Sequence, residues 1–223
     1  MHTSVLKAAV AVALLSSPFV ALADSASVTQ TGAFVSVTGG KSHFDLDRDA
    51  FAVDPKEGGD GTGFAVLGGY RWVVARPFSM GVEGGYVNLG HTTWKAHYGG
   101  LSNQYDAREK TKADGFLVGI NGKWDLPYDL TVTARVGVAH MRAKSDDTKV
   151  GGYIFLPPIT TRASHSTNSN RIYGGVGFGY DFNENIGLTL SYDRYGFKAE
   201  SPTERTDDAH VGLFGITVEY RFW

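Results

Sequence analysis

Residues 214–222 read FGITVEYRF, and Trp223 follows them. Phe214, Ile216, Val218, Tyr220 and Phe222 share one parity; Gly215, Thr217, Glu219 and Arg221 share the other. Strict alternation is the mark of a strand whose two faces meet different surroundings. One face here is oily and aromatic, the other small, polar or charged. The fold follows from deciding what covers each.

Working outward, the same alternation recurs at roughly 33–43, 62–72, 78–90, 114–124, 130–141, 171–182, 186–197 and 209–223. Most of these segments exceed the usual strand length of about 5–6 residues. Between them no long run carries apolar residues at helical spacing. The connections alternate in kind. Those after the second, fourth and sixth segments are tight: VVARP, DLPYD and NEN. The others are long, polar and glycine-rich, as from Thr92 to Lys112 and from Arg142 to Asn170, which are expected to be loops. An up-and-down meander would then have one rim of short turns and one of long loops, the layout of a transmembrane barrel.

Sorting by parity gives an uninterrupted apolar set that includes Phe64, Val66, Tyr70 and Trp72, then Phe116, Val118, Ile120 and Trp124, then Ile172, Val176, Phe178 and Tyr180. The opposite parity holds Arg71, Glu83, Lys123, Arg135, Asp181, Asp193, Glu219 and Arg221 among many glycines. A soluble barrel would turn the apolar set inward; a membrane barrel would turn it to lipid. The aromatics favour lipid. Trp72, Phe78, Trp124, Phe182, Phe222 and Trp223 gather at the short-turn rim, as amphipathic rings gather at a membrane–water interface.

The rest of the chain narrows the class. Lys7, the apolar run Ala8–Leu15 and Ala21-Leu22-Ala23 form a secretory leader, too short to anchor a protein by itself. The expected organisation is residues 1–23 as a cleaved signal peptide and 24–223 as one barrel domain. Cysteine is absent, so this exported chain does without disulfides. There are 21 basic residues, one of them Lys7 in the leader, against 23 acidic ones. That balance lacks the basic excess a nucleic-acid binder needs.

With these features the chain resembles the eight-stranded outer-membrane β-barrel family, which includes the OmpA transmembrane domain, OmpX-type barrels and opacity-type small barrels. The resemblance implies an all-β, eight-stranded antiparallel up-and-down barrel, monomeric, in the outer membrane of a Gram-negative cell. It also implies that the barrel-assembly machinery reads spaced C-terminal aromatics, matched here by Tyr220 and Phe222. Outer-membrane lipid and lipopolysaccharide would be its surroundings, and no nucleic acid, cofactor or metal is expected.

An eight-stranded bore is just wide enough for side chains to fill, and buried charges must be paired. The inward set is therefore expected to form a stacked ion network. Two readings stand: a structural plug, or a gate in which Arg135 re-pairs between Glu83 and Glu219 to open a narrow ion path. Lys41, His43, His140, Arg142, Lys144, Arg194, Lys198 and His210 share the outward parity near the long-loop rim. They form a candidate collar for lipopolysaccharide phosphates, with a solvated rim of loop bases as the alternative.

An enzyme that modifies lipid A would need an apolar slot, or a serine beside an outward histidine; neither is evident, and HSTNS at His165 falls in a long connection. Asp45, Asp47 and Asp49 alternate as calcium ligands do, but Ala50 and Lys56 stand where an EF-hand loop wants Gly and Glu. Trp94, Tyr98 and Tyr105 lie among bases in the second long connection, a composition suited to adhesion or to loops packing on each other. The expected function is non-enzymatic surface interaction, adhesion to a host or surface ligand, or envelope integrity. A narrow porin-like channel and a lipid-A-modifying enzyme are the alternatives.

Overall fold

The computed structural model describes residues 29–45, 59–99, 103–153, 159–201 and 204–223. The leader, Asp47 and Asp49 lie outside them, as do the side chains of Trp94, Tyr98 and Tyr105. Eight antiparallel strands close into a barrel in chain order. They are β1 (Gly32–Asp45), β2 (Asp60–Ala75), β3 (Phe78–Gly99), β4 (Asn103–Asp125), β5 (Leu130–Tyr153), β6 (Ile159–Asp181), β7 (Ile186–Ser201) and β8 (Glu204–Phe222). Among the described residues there is no helix.

Register sets the barrel's geometry. Stepping from partner to partner, His43 leads to Gly212, Arg194, Gly174, Val136, Ile120, Val82 and Tyr70, and returns to β1 at Ala33. The ring thus closes ten residues below its start. Such a stagger obliges the strands to tilt, by roughly 35–45° in barrels of this kind. Each residue then climbs about 2.5 Å along the axis.

The outer surface is apolar over a continuous band. Val118 is 65 % exposed, Phe116 66 % and Ile172 73 %. A soluble protein rarely exposes more than a few hundred Å² of contiguous apolar surface, so this band requires hydrocarbon around it.

One expectation is corrected. Thr92–Lys112 and Arg142–Asn170 were expected as loops, yet where described they are strand: β3 pairs β4 from His91↔Lys112 to Gly99↔Gln104, and β5 pairs β6 up to Gly151↔Ile159. The inward positions of these hairpins are small or polar, as buried Thr92, Thr111 and Ser145 are, so they carry no oily parity and alternation does not reveal them. On β3 a bulge between Asn88 and His91 breaks the register. Gly90 sits there at φ +76°, a left-handed conformation that glycine adopts without strain, and Asn88 Oδ1 accepts from its N–H at 2.8 Å. One residue is inserted, so the outward parity switches from even positions below to His91, Thr93 and Lys95 above.

Candidate functional site

The bore has three levels, set by which inward side chains each strand supplies. At the short-turn mouth the segment before β1 reaches across to β4. Thr29 N donates to Asp125 Oδ2 at 2.9 Å and Thr29 Oγ1 to Asp125 Oδ1 at 2.7 Å. Thr29 is 1 % exposed, so this clasp lies across the mouth.

Above it lies an ionic tier. Asp181 accepts from Lys123 Nζ at 3.0 and 2.8 Å and from Arg221 Nη1 at 2.7 Å. Arg71 forks onto Glu219 through Nη1 at 2.8 Å and Nη2 at 3.0 Å, and its Nε donates to Asn121 Oδ1 at 3.0 Å. Its guanidinium also lies over the Phe34 ring, 4.5 Å from the centroid. Asn121 donates to Glu83 Oε2 at 3.1 Å, and Tyr173 OH to Glu83 Oε1 at 2.8 Å. Arg135 holds Asp193 through Nε at 2.6 Å and Nη2 at 2.7 Å.

These are the eight residues expected in the lumen, four cations and four carboxylates. Their formal charges sum to zero, so the tier carries no net charge that would select ions of one sign. The gate expectation is corrected in its pairing. Arg135 is bidentate to Asp193, Glu219 belongs to Arg71, and Glu83 is held by neutral donors. The register around the barrel places Asp193 beside the Gly175 that faces Arg135, so the fork forms with the nearer carboxylate.

Glycine makes room for this tier. A Cβ on Gly69 would come within 2.8 Å of the Phe34 ring, and one on Gly137 within 2.7 Å of the Tyr173 ring.

The third level corrects a further expectation, that of a charged bore throughout. Towards the long-hairpin rim the interior is oily: Leu89, Met141, Phe197, Val211 and Leu213 are each 0 % exposed. Phe44 meets Phe197 edge-on at 6.4 Å. Tyr173 and Tyr195, stacked at 5.8 Å and 14°, form the boundary, with the Tyr173 hydroxyl turned to the ionic side. The signal was available, since Val211, Leu213 and Leu89 are apolar on the inward parity. In those stretches the outward neighbours are Asn88, Gly90, His210 and Gly212, so the contrast between the parities reverses and the outward face no longer reads as the oily one. The Thr29–Asp125 clasp had no such signal, because it joins residues 96 apart in sequence.

On the outside, Trp72, Trp124, Phe182, Phe222 and Trp223 are exposed at the short-turn rim and Phe78 is half-buried beside them. Ring contacts tie Phe78 to Trp124 at 5.9 Å and Tyr220 to Phe222 at 4.8 Å. The eight collar residues all take outward positions near the opposite rim, but they divide into two groups. Lys41, His43, Arg194, Lys198 and His210 lie on β1, β7 and β8; His140, Arg142 and Lys144 lie on β5. Between the groups β6 offers Asn168, Asn170 and Ile172. Several members are engaged already: His43 Nδ1 meets Asp60 Oδ1 at 2.9 Å, His140 Nδ1 meets Asn170 Oδ1 at 2.6 Å, and Arg142 Nε donates to Ser166 Oγ at 3.3 Å. Among the described residues no group of three or more His, Asp or Glu is arranged to hold a metal.

A closed ring of eight strands, oily towards its surroundings and ion-paired within, defines an integral outer-membrane β-barrel. A family model described as the outer membrane protein beta-barrel domain matches residues 9–222. The chain belongs to that family, and its compartment is the cell outer membrane. A search of curated proteins returned no match.

Among solved structures the chain is similar to Ail, the attachment invasion locus protein of Yersinia pestis, at 15 % identity and TM-score 0.45, covering 87 % of this chain and 100 % of that one. It is similar also to OprG of Pseudomonas aeruginosa at 13 % and 0.44, covering 89 % and 100 %. The outer membrane protease OmpT of Escherichia coli matches at 10 % and 0.35, covering 89 % and 100 %.

Proposed function

We propose that the mature chain, residues 24–223 after loss of the leader, is a sealed and non-enzymatic barrel. It anchors tall outer hairpins in the outer membrane for surface interaction, adhesion or envelope integrity. The two-tier bore carries this reading. An ion-paired layer of zero net formal charge lies beneath a mostly apolar layer, and an ion crossing would have to break buried salt bridges and then enter tight packing of leucine, methionine, valine and phenylalanine. Each step is costly, since unpaired buried charge is strongly disfavoured.

The hairpins add support. β3–β4 and β5–β6 rise well beyond the lipid band as paired strands, so they form rigid posts suited to presenting contacts. Tyr220 and Phe222 would serve the assembly machinery, and the outward bases would face lipopolysaccharide.

The test is to trim both tall hairpins and compare intact and trimmed barrels, displayed on cells, for adherence to a panel of matrix proteins and glycans. Adherence should be lost on trimming, while the heat-dependent shift in electrophoretic mobility of a closed barrel persists. Adherence retained by the trimmed barrel would overturn the reading. Mass spectrometry of lipid A from overexpressing cells should show no new species; a modified species would replace this reading with an enzymatic one.

A further inference from the structure

We propose that the inner face of β4–β6, above the apolar level of the bore, binds the primary ammonium group of a small amine between Glu109 and Asp147. The inference goes beyond the sealed-anchor reading and does not rest on it, because the closed floor and the cup above it are separate features.

Register brings the residues together. Thr92 faces Thr111, Thr111 faces Ser145 and Ser145 faces His165, so four strands contribute to one inward row. Thr92, Thr111 and Ser145 are 2 %, 1 % and 5 % exposed. One inward step higher, Glu109 stands directly opposite Asp147, and Asp147 opposite Ala163, which adds only a methyl group. β2 pairs β3 only up to Phe64↔Asn88, and β6 pairs β7 only up to Tyr173↔Tyr195. Both rows lie above those limits, so the inner face of the tall wall opens to the outside of the cell. Phe44, Leu89, Met141 and Phe197 close the floor beneath it.

Two carboxylates meet here across β4–β5. Like charges directly opposite on neighbouring strands oppose the pairing, and a cation between them removes that cost. Burial, and after it the facing Glu109 carboxylate, push the Asp147 carboxyl above its ordinary range. His165 and Lys149 act the other way and Asp146 adds to the rise. Lys149 is exposed two residues above Asp147, and it offsets the repulsion only in part, since the carboxyl stays raised.

A second observation is independent of the acids. The buried Thr92 Oγ1 has no hydrogen-bond partner, and neither do the buried atoms His165 Nδ1 and Asp147 Oδ2. Buried polar atoms are costly to leave in that state. The bulge at Gly90 turns Thr92 inward beside Thr111. The Thr111 hydroxyl lies 3.3 Å from Ser145 Oγ and donates to Glu109 Oε1 at 3.0 Å, so the hydroxyl row already leads to the acid pair.

The acceptor set selects the ligand class. A primary ammonium carries one positive charge and three N–H donors. The facing carboxylates supply the opposite charge, and the Thr92 hydroxyl and the imidazole nitrogen supply further acceptors. Calcium wants about 6–8 oxygen ligands, whereas the strand carbonyls of this wall are engaged in the ladder. Among the described residues no three His, Asp or Glu converge as metal ligands do.

The experiment titrates the refolded mature chain, in an uncharged detergent, with butylammonium chloride and follows the backbone amide signals of Glu109, Asp147 and His165 by NMR. Those signals should shift saturably. E109Q/D147N should weaken binding by about tenfold or more, since hydrogen bonds to charged groups are the strong ones. D114N/D146N removes the same charge from the outward face of the same strands and should change binding by less than about twofold. T92V keeps the shape of the side chain and should weaken binding by about threefold. Tetramethylammonium has the charge but no N–H donor, and should leave these signals in place. The proposal is overturned by any of four results: no saturable shift in wild type, equal weakening by the two acid variants, full affinity in T92V, or tetramethylammonium binding as tightly as butylammonium. Calcium chloride displacing butylammonium at equal concentration would also overturn it, by assigning the acid pair to a bare divalent ion. Heat-dependent mobility checks the closure of each variant. If E109Q/D147N fails to close, D147N alone should still weaken binding by about fivefold, and unchanged binding would then overturn the proposal.

Discussion

The two halves of the bore solve the same problem with opposite chemistry. Near the short turns, four cations and four carboxylates fill the space, and each carboxylate is held by at least two donor hydrogen bonds or a bidentate fork. Near the long hairpins, leucine, methionine, valine and phenylalanine fill most of it, with a few buried hydroxyls among them: Ser42 donates to the Leu89 carbonyl at 2.7 Å, and Thr111 lies against Ser145 at 3.3 Å. The ionic half depends on partners, because taking away one leaves another buried and unpaired. The apolar half depends on volume, because what is lost is packing. The lower half thus fixes register, since a slip of one residue would turn its charges to lipid, and the upper half supplies dry closure.

That contrast is open to attack by mutation, and the largest effect belongs to the ionic half. Asp181→Ala strips Lys123 and Arg221 of their shared acceptor and should destabilise the barrel by about 3–5 kcal/mol, read from urea unfolding in detergent by tryptophan fluorescence. Leu89→Ala in the apolar half should lower stability by about 2–5 kcal/mol in the same assay and leave the barrel electrically silent, because the ionic tier below stays whole. Turning a charge to the other face tests orientation. Val136→Arg, one residue from Arg135 but towards lipid, should lose about 2–4 kcal/mol; a neutral result would mean that Val136 does not face hydrocarbon.

Smaller effects refine the picture. Asp125→Ala removes both acceptors of the Thr29 clasp and should lower unfolding stability by about 1–3 kcal/mol, with faster hydrogen exchange at the Thr29 amide. The smallest expected change separates the two halves most sharply. Replacing Arg135 and Asp193 together by Met and Leu should be neutral or stabilising, while either single change is strongly destabilising. A large loss in the double variant would mean that the pair does more than fill and satisfy the bore.

Much of this architecture was readable from residues. Phe116, Val118 and Ile120 against Asn121 and Lys123, like Val218 and Tyr220 against Glu219 and Arg221, give strand, face and sign without reference to any structure. The tight VVARP, DLPYD and NEN connections order the strands around the ring. What stayed hidden has physical reasons. Along His91–Gly99 and Asn103–Lys112 neither parity is uniformly oily: buried Thr92 and Thr111 stand on one face, and His91, Lys95 and Lys112 on the other. Gly90 inverts the parity of β3 in a single step, and the outward place of His91, Thr93 and Lys95 follows only from that inversion. The partner of Arg135 follows from the β5–β6 register, which sets Arg135 against Gly175 and so beside Asp193, across a long connection whose length fixes no pairing. The oily upper bore escaped because the contrast reverses there: Val211 and Leu213 are apolar on the inward parity while His210 and Gly212 stand outward.

The sealed bore is the central claim, and recording the purified wild-type barrel in planar bilayers tests it most directly. The two stacked tiers predict a flat trace with no stable openings across the voltage range and over prolonged recording. Frequent, long-lived and large conductance steps would contradict it.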